Sequence, residues 1–453
     1  MHSSFPRAIA LSTLTTAFVG LGATSLLPAC GDANTAEAGG GAGGERGPGN
    51  GGGGDSPTVP RDTPPPITAN AVSALVAAQN TFSIDLYRTV ASSTEGRFFF
   101  SPFSVHQALS MAYAGAAGAT QSAMRDVLHA GADDAAYHDA QNAVAQAVTA
   151  PPAELPAEAI APVVRLANTL FVQQDYPLLP TFTDRLGASY GAAAQTVDFA
   201  GDTEGARGTI NAWVADHTED HIPELLKPGI IGEMTRLTLV NAVYFLGQWA
   251  TAFEPTATFE ETFRSANGDE PAPFMHGTFD LAATSNETYD AVALPYAGGE
   301  LHMLAIAPKG EGSLAAFEAE LDGDTLAGVD GALTVERTSV ALPKFEMRSP
   351  LILKAPLRTL GMGPAFTEAD FSGITGARDL SISDVVHEAW VRVDESGTEA
   401  AAATAVVFDA GAASEPVESR SVRLDRPFLA LIRHAPTGAI LFMARVDSLT
   451  ATP

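Results

Sequence analysis

His387 and Glu388 form the pair that first invites a catalytic reading, because His-Glu-x-x-His on a helix is how zinc proteases hold their metal and general base. The run here is His387-Glu388-Ala389-Trp390-Val391, so the second histidine is missing. There is no Gly-x-Ser-x-Gly elbow and no phosphate loop, and the single cysteine, Cys30, makes neither a disulfide nor a thiolate zinc site. No enzyme activity, cofactor or metal is expected. The stretch Glu395-Ser396-Gly397-Thr398-Glu399-Ala400-Ala401-Ala402-Ala403-Thr404 is informative for a different reason. By propensity its four alanines read as helix. The residues before it, His387 to Asp394, alternate apolar Ala389, Val391 and Val393 with Trp390, Arg392 and Asp394, the period of a half-buried strand. Read as a continuation of that strand, the run has been stripped of bulk so that it can slide under a covering layer.

Other motifs decide between helix and inserting strand. In order come Phe100-Ser101-Pro102-Phe103-Ser104, Asn168-Thr169-Leu170-Phe171, Leu239-Val240-Asn241 with Trp249, Leu294-Pro295-Tyr296, Leu342-Pro343-Lys344-Phe345, Ser383-Asp384-Val385-Val386-His387 and Arg426-Pro427-Phe428-Leu429. With the alanine run they resemble the serpins, serine protease inhibitors, from about Ala71 to Val446. The resemblance implies an inhibitory member whose hinge is Glu395, Gly397, Thr398, Glu399, Ala400, Ala401, Ala402, Ala403 and Thr404. It implies a network at the sheet centre, Ser101, Ser104, Asn241 and His387, that must break when the sheet opens. It also implies a mouth where the loop enters, formed by Trp249, Lys344 and Glu395. Residue by residue there are plainer readings as well: a helix cap for Ser101 and Ser104, a satisfied buried histidine for His387, and core packing for Trp249.

The expected function is suicide inhibition of extracellular serine proteases. A protease cleaves the exposed loop, is acylated by it, and is distorted as the loop inserts into the central sheet. The resemblance implies a bond about sixteen residues after Glu395, at Gly411 with Ala410 and Ala412 beside it, whereas counting back from Pro427 gives about Pro416. The hinge count is preferred because insertion fixes the length before the bond. No Lys or Arg occurs from Glu399 to Ser419, so the loop suits elastase-like or subtilisin-like proteases rather than trypsin-like ones. The alternative is a non-inhibitory serpin acting as a binding module, whose hinge would carry bulky, charged or proline residues. Leu246, Glu388 and Ala444 depart from the usual family residues, and none lies in the hinge.

The elements that must position these groups are legible in outline. Ala71 to Thr89 and Val105 to Ala114 read as helices. Ile210, Trp213, Val214, His217 and His221 recur at helical spacing. Leu237 to Leu246 is apolar on both parities apart from Asn241, as in a strand buried on both faces. Ala435-Pro436-Thr437-Gly438 divides a C-terminal hairpin. The fold class is α+β, with helices on a large, mainly antiparallel central sheet, a smaller β-barrel and an exposed reactive loop.

Residues 1–29 read as a signal peptide, 30–69 as a flexible Gly/Pro-rich linker and 70–453 as one domain. Leu27-Pro28-Ala29-Cys30 is similar to a lipobox, so lipidation at Cys30 of a bacterial lipoprotein, held in the cell envelope or outside the cell through that anchor, is the expectation. The other reading is plain secretion after Ala29. A formal charge of −28 argues against nucleic acid and against heparin. Serine proteases are the expected partners, and a monomer is expected.

Overall fold

The computed structural model describes residues 67–265, 267–310, 313–398 and 419–450. Its first helices start at side-chain caps. Thr68 accepts from the Ala71 amide to open Ala69–Ser93, and Ser101 accepts from the Ser104 amide to open Pro102–Tyr113, with proline in the first turn. Every residue of Pro102–Tyr113 is buried, so this helix is a core element beneath a sheet. Among the described residues no helix is long and apolar enough to cross a membrane.

That sheet has six strands in the order Phe345–Ile352, Asp384–Val393, Gly397–Thr398, Leu237–Gln248, Val163–Gln173, Gln195–Val197. Leu237–Gln248 is interior and fully buried over its first seven residues, as a strand covered on both faces must be. It runs antiparallel to Val163–Gln173 and parallel to Asp384–Val393, its ladder with the latter extending from Thr238/Asp384 to Val243/Ala389. Beyond that point the two strands part, and Gly397–Thr398 lies between them.

On the inner face, Leu239, Val243, Phe245, Val385, Ala389 and Val391 join the main core. The outer face carries a second core, in which Val240, Ala242 and Val386 meet Ile210 and Val214 of the helix Thr203–His217 and Ile222, Leu225 and Leu226 after it. The layer that the alanine run was expected to pass under is therefore this helix and the segment that follows it.

The second sheet corrects the expectation of a β-barrel. Its nine strands form an open path from Phe98–Phe100 through Ala439–Val446, Phe428–His434, Leu301–Pro308, Tyr289–Pro295, Gly268–Ser285 and Thr334–Pro343 to Arg420–Arg423, with Thr258–Ser265 also on Gly268–Ser285. Closure would need its end strands to meet. Instead Gly268–Ser285, at 18 residues, takes Thr258–Ser265 along its first part and Tyr289–Pro295 along its last, so the sheet branches. The C-terminal hairpin forms as the turn residues predict, pairing Phe428–His434 with Ala439–Val446.

Two local expectations also change. His221 does not continue the helix, which stops at His217; Glu219 and Asp220 both adopt left-handed backbone, with φ of 50° and 61°. Nor does the chain run straight on after Val393. The Asp394 amide donates to Gly397 O at 2.9 Å and the Gly397 amide to Asp394 O at 3.3 Å, a two-residue hairpin that reverses direction.

Candidate functional site: the hinge and the fork in the sheet

The reversal at Asp394–Gly397 delivers Thr398 between two strands. Val393 pairs with Thr398 on one side and Gly247 with Thr398 on the other, both antiparallel. The approach is close enough to demand glycine at the turn, since a Cβ on Gly397 would stand 2.1 Å from Gly247 O and 2.8 Å from Gln248 Cα. Thr398 is buried, and its hydroxyl lies 2.7 Å from that of Tyr296. Burial raises the Tyr296 pKa, so the phenol keeps its proton.

Backbone and side chains of the mouth hold the hinge in place. Trp249 donates from Nε1 to Asp394 O at 3.0 Å and from its amide to Ser396 O at 2.9 Å, while its ring stacks on Tyr296 at 4.7 Å. The Phe253 amide donates to Glu395 O at 2.9 Å. The Glu395 carboxylate accepts from Lys344 Nζ at 2.6 Å and from Thr258 Oγ1 at 2.8 Å. Burial opposes its charge, yet these hydrogen bonds and the lysine's charge outweigh burial and lower its pKa. Trp249, Lys344 and Glu395 are thus brought together; Thr258 and Tyr296 complete the mouth and were not singled out from sequence.

Below the fork lies the polar group at the sheet centre. The Ser101 amide donates to His387 Nε2 at 3.1 Å, which leaves Nδ1 to carry the ring proton and donate to Asn241 Oδ1. Asn241 Nδ2 donates to Ser104 Oγ at 2.6 Å and to Asn168 Oδ1, and Ser104 Oγ donates to that same oxygen at 2.9 Å. Ser101 Oγ donates to Leu441 O at 2.7 Å while accepting from the Ser104 amide at 3.1 Å, so the cap reading and the network hold together. Burial lowers the His387 pKa to about 3, so the imidazole is neutral. Ser101, Ser104, Asn241 and His387 form one connected network with Asn168, a fifth member whose signal was a lone amide in an apolar strand. No acid, base or nucleophile stands ready here for catalysis: these side chains are engaged in holding three strands of the sheet and the start of the helix Pro102–Tyr113 together.

Glu388 is nearly fully buried, and its carboxylate accepts from Arg348 Nε of the neighbouring strand, so its departure from the family's usual residue is balanced by an arginine. Among the described residues no group of three His, Cys, Asp or Glu side chains could hold a metal. Hinge residues Glu399, Ala400, Ala401, Ala402, Ala403 and Thr404, the scissile region Ala410, Gly411 and Ala412, and Cys30 lie outside the described residues.

Comparison with known proteins adds the deciding observation: the family described as Serpin (serine protease inhibitor) matches residues 77–449. This chain is a serpin. It is 37% identical over 372 residues to an uncharacterised serpin-like protein of Thermococcus kodakarensis, covering 82% of this chain and 85% of that one. It is 34% identical to leukocyte elastase inhibitor A of Rattus norvegicus, covering 83% and 99% of the two chains. Iris of the tick Ixodes ricinus is 35% identical over 81% of this chain and 97% of its own. Among solved structures, Serpin48 of the insect Tenebrio molitor superposes with a TM-score of 0.74 at 29% identity, covering 83% of this serpin and 98% of its own chain.

Serpins act as inhibitors and not as enzymes, trapping serine proteases through insertion of the cleaved loop. The expectation of a bacterial lipoprotein is corrected. The relatives named here are from Thermococcus kodakarensis, Ixodes ricinus and Rattus norvegicus, none of them bacterial, and no finding supports a lipoprotein signal or a membrane anchor at Cys30. That expectation rested on one short cysteine motif, with an atypical Pro28 inside it, and a four-residue pattern carries too little physical constraint to identify an anchor.

Proposed function

We propose that this serpin inhibits extracellular elastase-like or subtilisin-like serine proteases, with the scissile bond at Gly411 or its neighbours Ala410 and Ala412. The observation that carries the reading is Thr398, seated antiparallel between two strands that are parallel to each other below it. A third strand can lengthen there without rearranging its neighbours' directions. Extending the two registers residue by residue sets Ala401 between Trp390 and Tyr244, Thr404 between His387 and Asn241, and Val407 between Asp384 and Thr238. Both flanks give the same alignment all the way down. The side chains that would face outward beneath the covering helix, Ala401, Ala403 and Ala405, are all alanine.

In this reading the protease serine Oγ bonds to the carbonyl carbon at the scissile residue, the peptide C–N bond breaks, and the new amine leaves with the serine's proton. Each residue then inserted adds net hydrogen bonding of about 1 kcal/mol per bond, or on the order of ten kcal/mol in total. That suffices to distort the attached protease. Loss of one oxyanion-hole donor slows deacylation by roughly two to three orders of magnitude, so the acyl-enzyme persists. Insertion also requires the His387–Asn241 bond to break, because the new strand passes between them.

The test incubates the protein with pancreatic elastase, subtilisin, chymotrypsin and trypsin, followed by denaturing gels and mass measurement of the released C-terminal fragment. A denaturant-stable complex with the first two and a fragment beginning near Ala412 is expected. Cleavage by every protease with no complex would reject inhibition in favour of a binding module.

A further inference from the structure

His221 touches both strands at the fork from outside. It stacks on Tyr244 of Leu237–Gln248 at 5.4 Å and 20°, and on Trp390 of Asp384–Val393 at 4.6 Å and 16°. These two residues come immediately after Val243 and Ala389, where the ladder between the strands ends. The stack therefore sits at the next rung, on the outer face, at the position that the extended register gives to Ala401. Further contacts tie the same place together. Trp390 Nε1 donates to Glu346 at 3.0 Å, the Arg392 guanidinium lies 5.8 Å from the Trp390 ring centre, and that of Arg165 lies 5.9 Å from the Tyr244 ring centre.

The backbone that presents His221 is held in a costly shape. Glu219 and Asp220 are consecutive left-handed residues, neither of them glycine, and such geometry persists only where its surroundings over-determine it. Here they do. Arg165 pairs with Glu219, the Asp220 amide donates to Ala215 O at 2.9 Å, and the His221 amide to Thr218 O at 2.9 Å. Thr218 Oγ1 donates to Val214 O at 2.8 Å and accepts from the Ile222 amide at 3.2 Å. A relaxed continuation of the helix would carry His221 away from the fork. Burial, and then the charge of Arg392, lower the His221 pKa, so a neutral ring makes the stack.

We infer that His221 is a positioning residue that latches Leu237–Gln248 to Asp384–Val393 at the fork, so that the rate of loop insertion is set by release of this stack. The inference rests on the insertion register proposed above. It separates a kinetic role from the packing role of the second core, because the stack must loosen for Ala401 to arrive whereas Ile222, Leu225 and Leu226 pack farther down the sheet.

The test compares the full-length protein with His221→Ala, His221→Phe and Trp390→Leu. The readouts are the rate at which a synthetic peptide of residues 398–407 is taken up, followed on native gels, the stoichiometry of protease trapping, and the denaturant midpoint. Removing two aromatic contacts is expected to speed peptide uptake about tenfold in His221→Ala, with Trp390→Leu changing in the same direction and His221→Phe staying within about twofold of the parent. A lowered denaturant midpoint with an unchanged uptake rate would reduce His221 to packing and overturn the latch. Slower uptake in His221→Ala would also overturn it, since the ring would then be propping the fork open. Failure of the parent to trap any protease would count against the proposed function, and peptide uptake would still report on the latch.

Discussion

Thr398 carries the most information for its size. It is already inside the sheet, almost without exposure and bonded to Tyr296, so whatever stands there must be small and able to satisfy one buried hydroxyl. Thr398→Arg would bring a bulky cation into that buried position, at a cost of several kcal/mol. The hinge would then stay out, and cleavage would outrun insertion. The expected outcome is a variant cut at the same bond as the parent but leaving the protease active, measured by titrating residual protease activity against inhibitor. Equal trapping by parent and variant would remove Thr398 from the insertion path. At this scale Asn241 was readable as a polar residue in an apolar strand, while Glu395, Lys344 and His387 were reached through the resemblance to serpins, and all four lie in the geometry described above. Asn168, Thr258 and Tyr296 were passed over as site residues because their roles come from partners on strands far away in sequence, and no local pattern encodes those contacts.

The element that matters is the pair of parallel strands that must separate. Both were legible from sequence pattern, Leu237 to Leu246 because burial on both faces selects apolar residues on both parities and His387 to Asp394 by its alternation. Two features escaped, and both are turns. His221 keeps helical spacing with Trp213 and His217, yet two left-handed residues intervene, and a three-residue phase coincidence cannot reveal a backbone that neighbouring side chains impose. The reversal at Asp394–Gly397 was hidden similarly, because strand alternation continues through it. The parallel register makes a prediction of its own. Val240 and Val386 are directly paired, and adjacent strands lie about 4.8 Å apart, within reach of a disulfide. Since Cys30 is the only natural cysteine, the double variant Val240→Cys/Val386→Cys in a Cys30→Ser background can be locked and unlocked by redox state. Oxidised, it is expected to be cleaved without trapping; reduced, to trap like the parent. Trapping by the oxidised form, with the cross-link verified by mass, would mean that insertion does not pass between these strands.

At the scale of the whole molecule, the mixture of helices and strands followed from the order of helical and strand patterns, whereas the expected smaller barrel is an open nine-stranded sheet, because closure depends on whether two end strands meet and no strand's own residues record that. The buried histidines have a consequence at the same scale. His106 and His138 have pKa values lowered to about 4 and His387 to about 3, in each case chiefly by burial. In the unfolded chain each would titrate near its ordinary value of ~6.5. Between those limits the unfolded state binds more protons than the folded state, so stability rises with pH and is lost as pH falls from about 6.5 towards 4, by at most about 1.4 kcal/mol per pH unit for each histidine. Carboxylates add to the loss only lower down: burial opposes the charge of Glu270, but hydrogen bonds from Ser265 and the Leu449 amide outweigh it and hold the group at about 2. Urea midpoints are therefore expected to be nearly constant above about pH 7 and to fall between about pH 6.5 and 5, the loss being offset in part by Asp384 and Asp447, whose carboxyl pKa values burial raises. His387→Gln, which keeps a donor and an acceptor at the fork, should flatten part of that slope. A midpoint unchanged from about pH 7 to 5 would mean that these imidazoles are not held neutral, and the reading of His387 as an uncharged bridge between Ser101 and Asn241 would have to be abandoned.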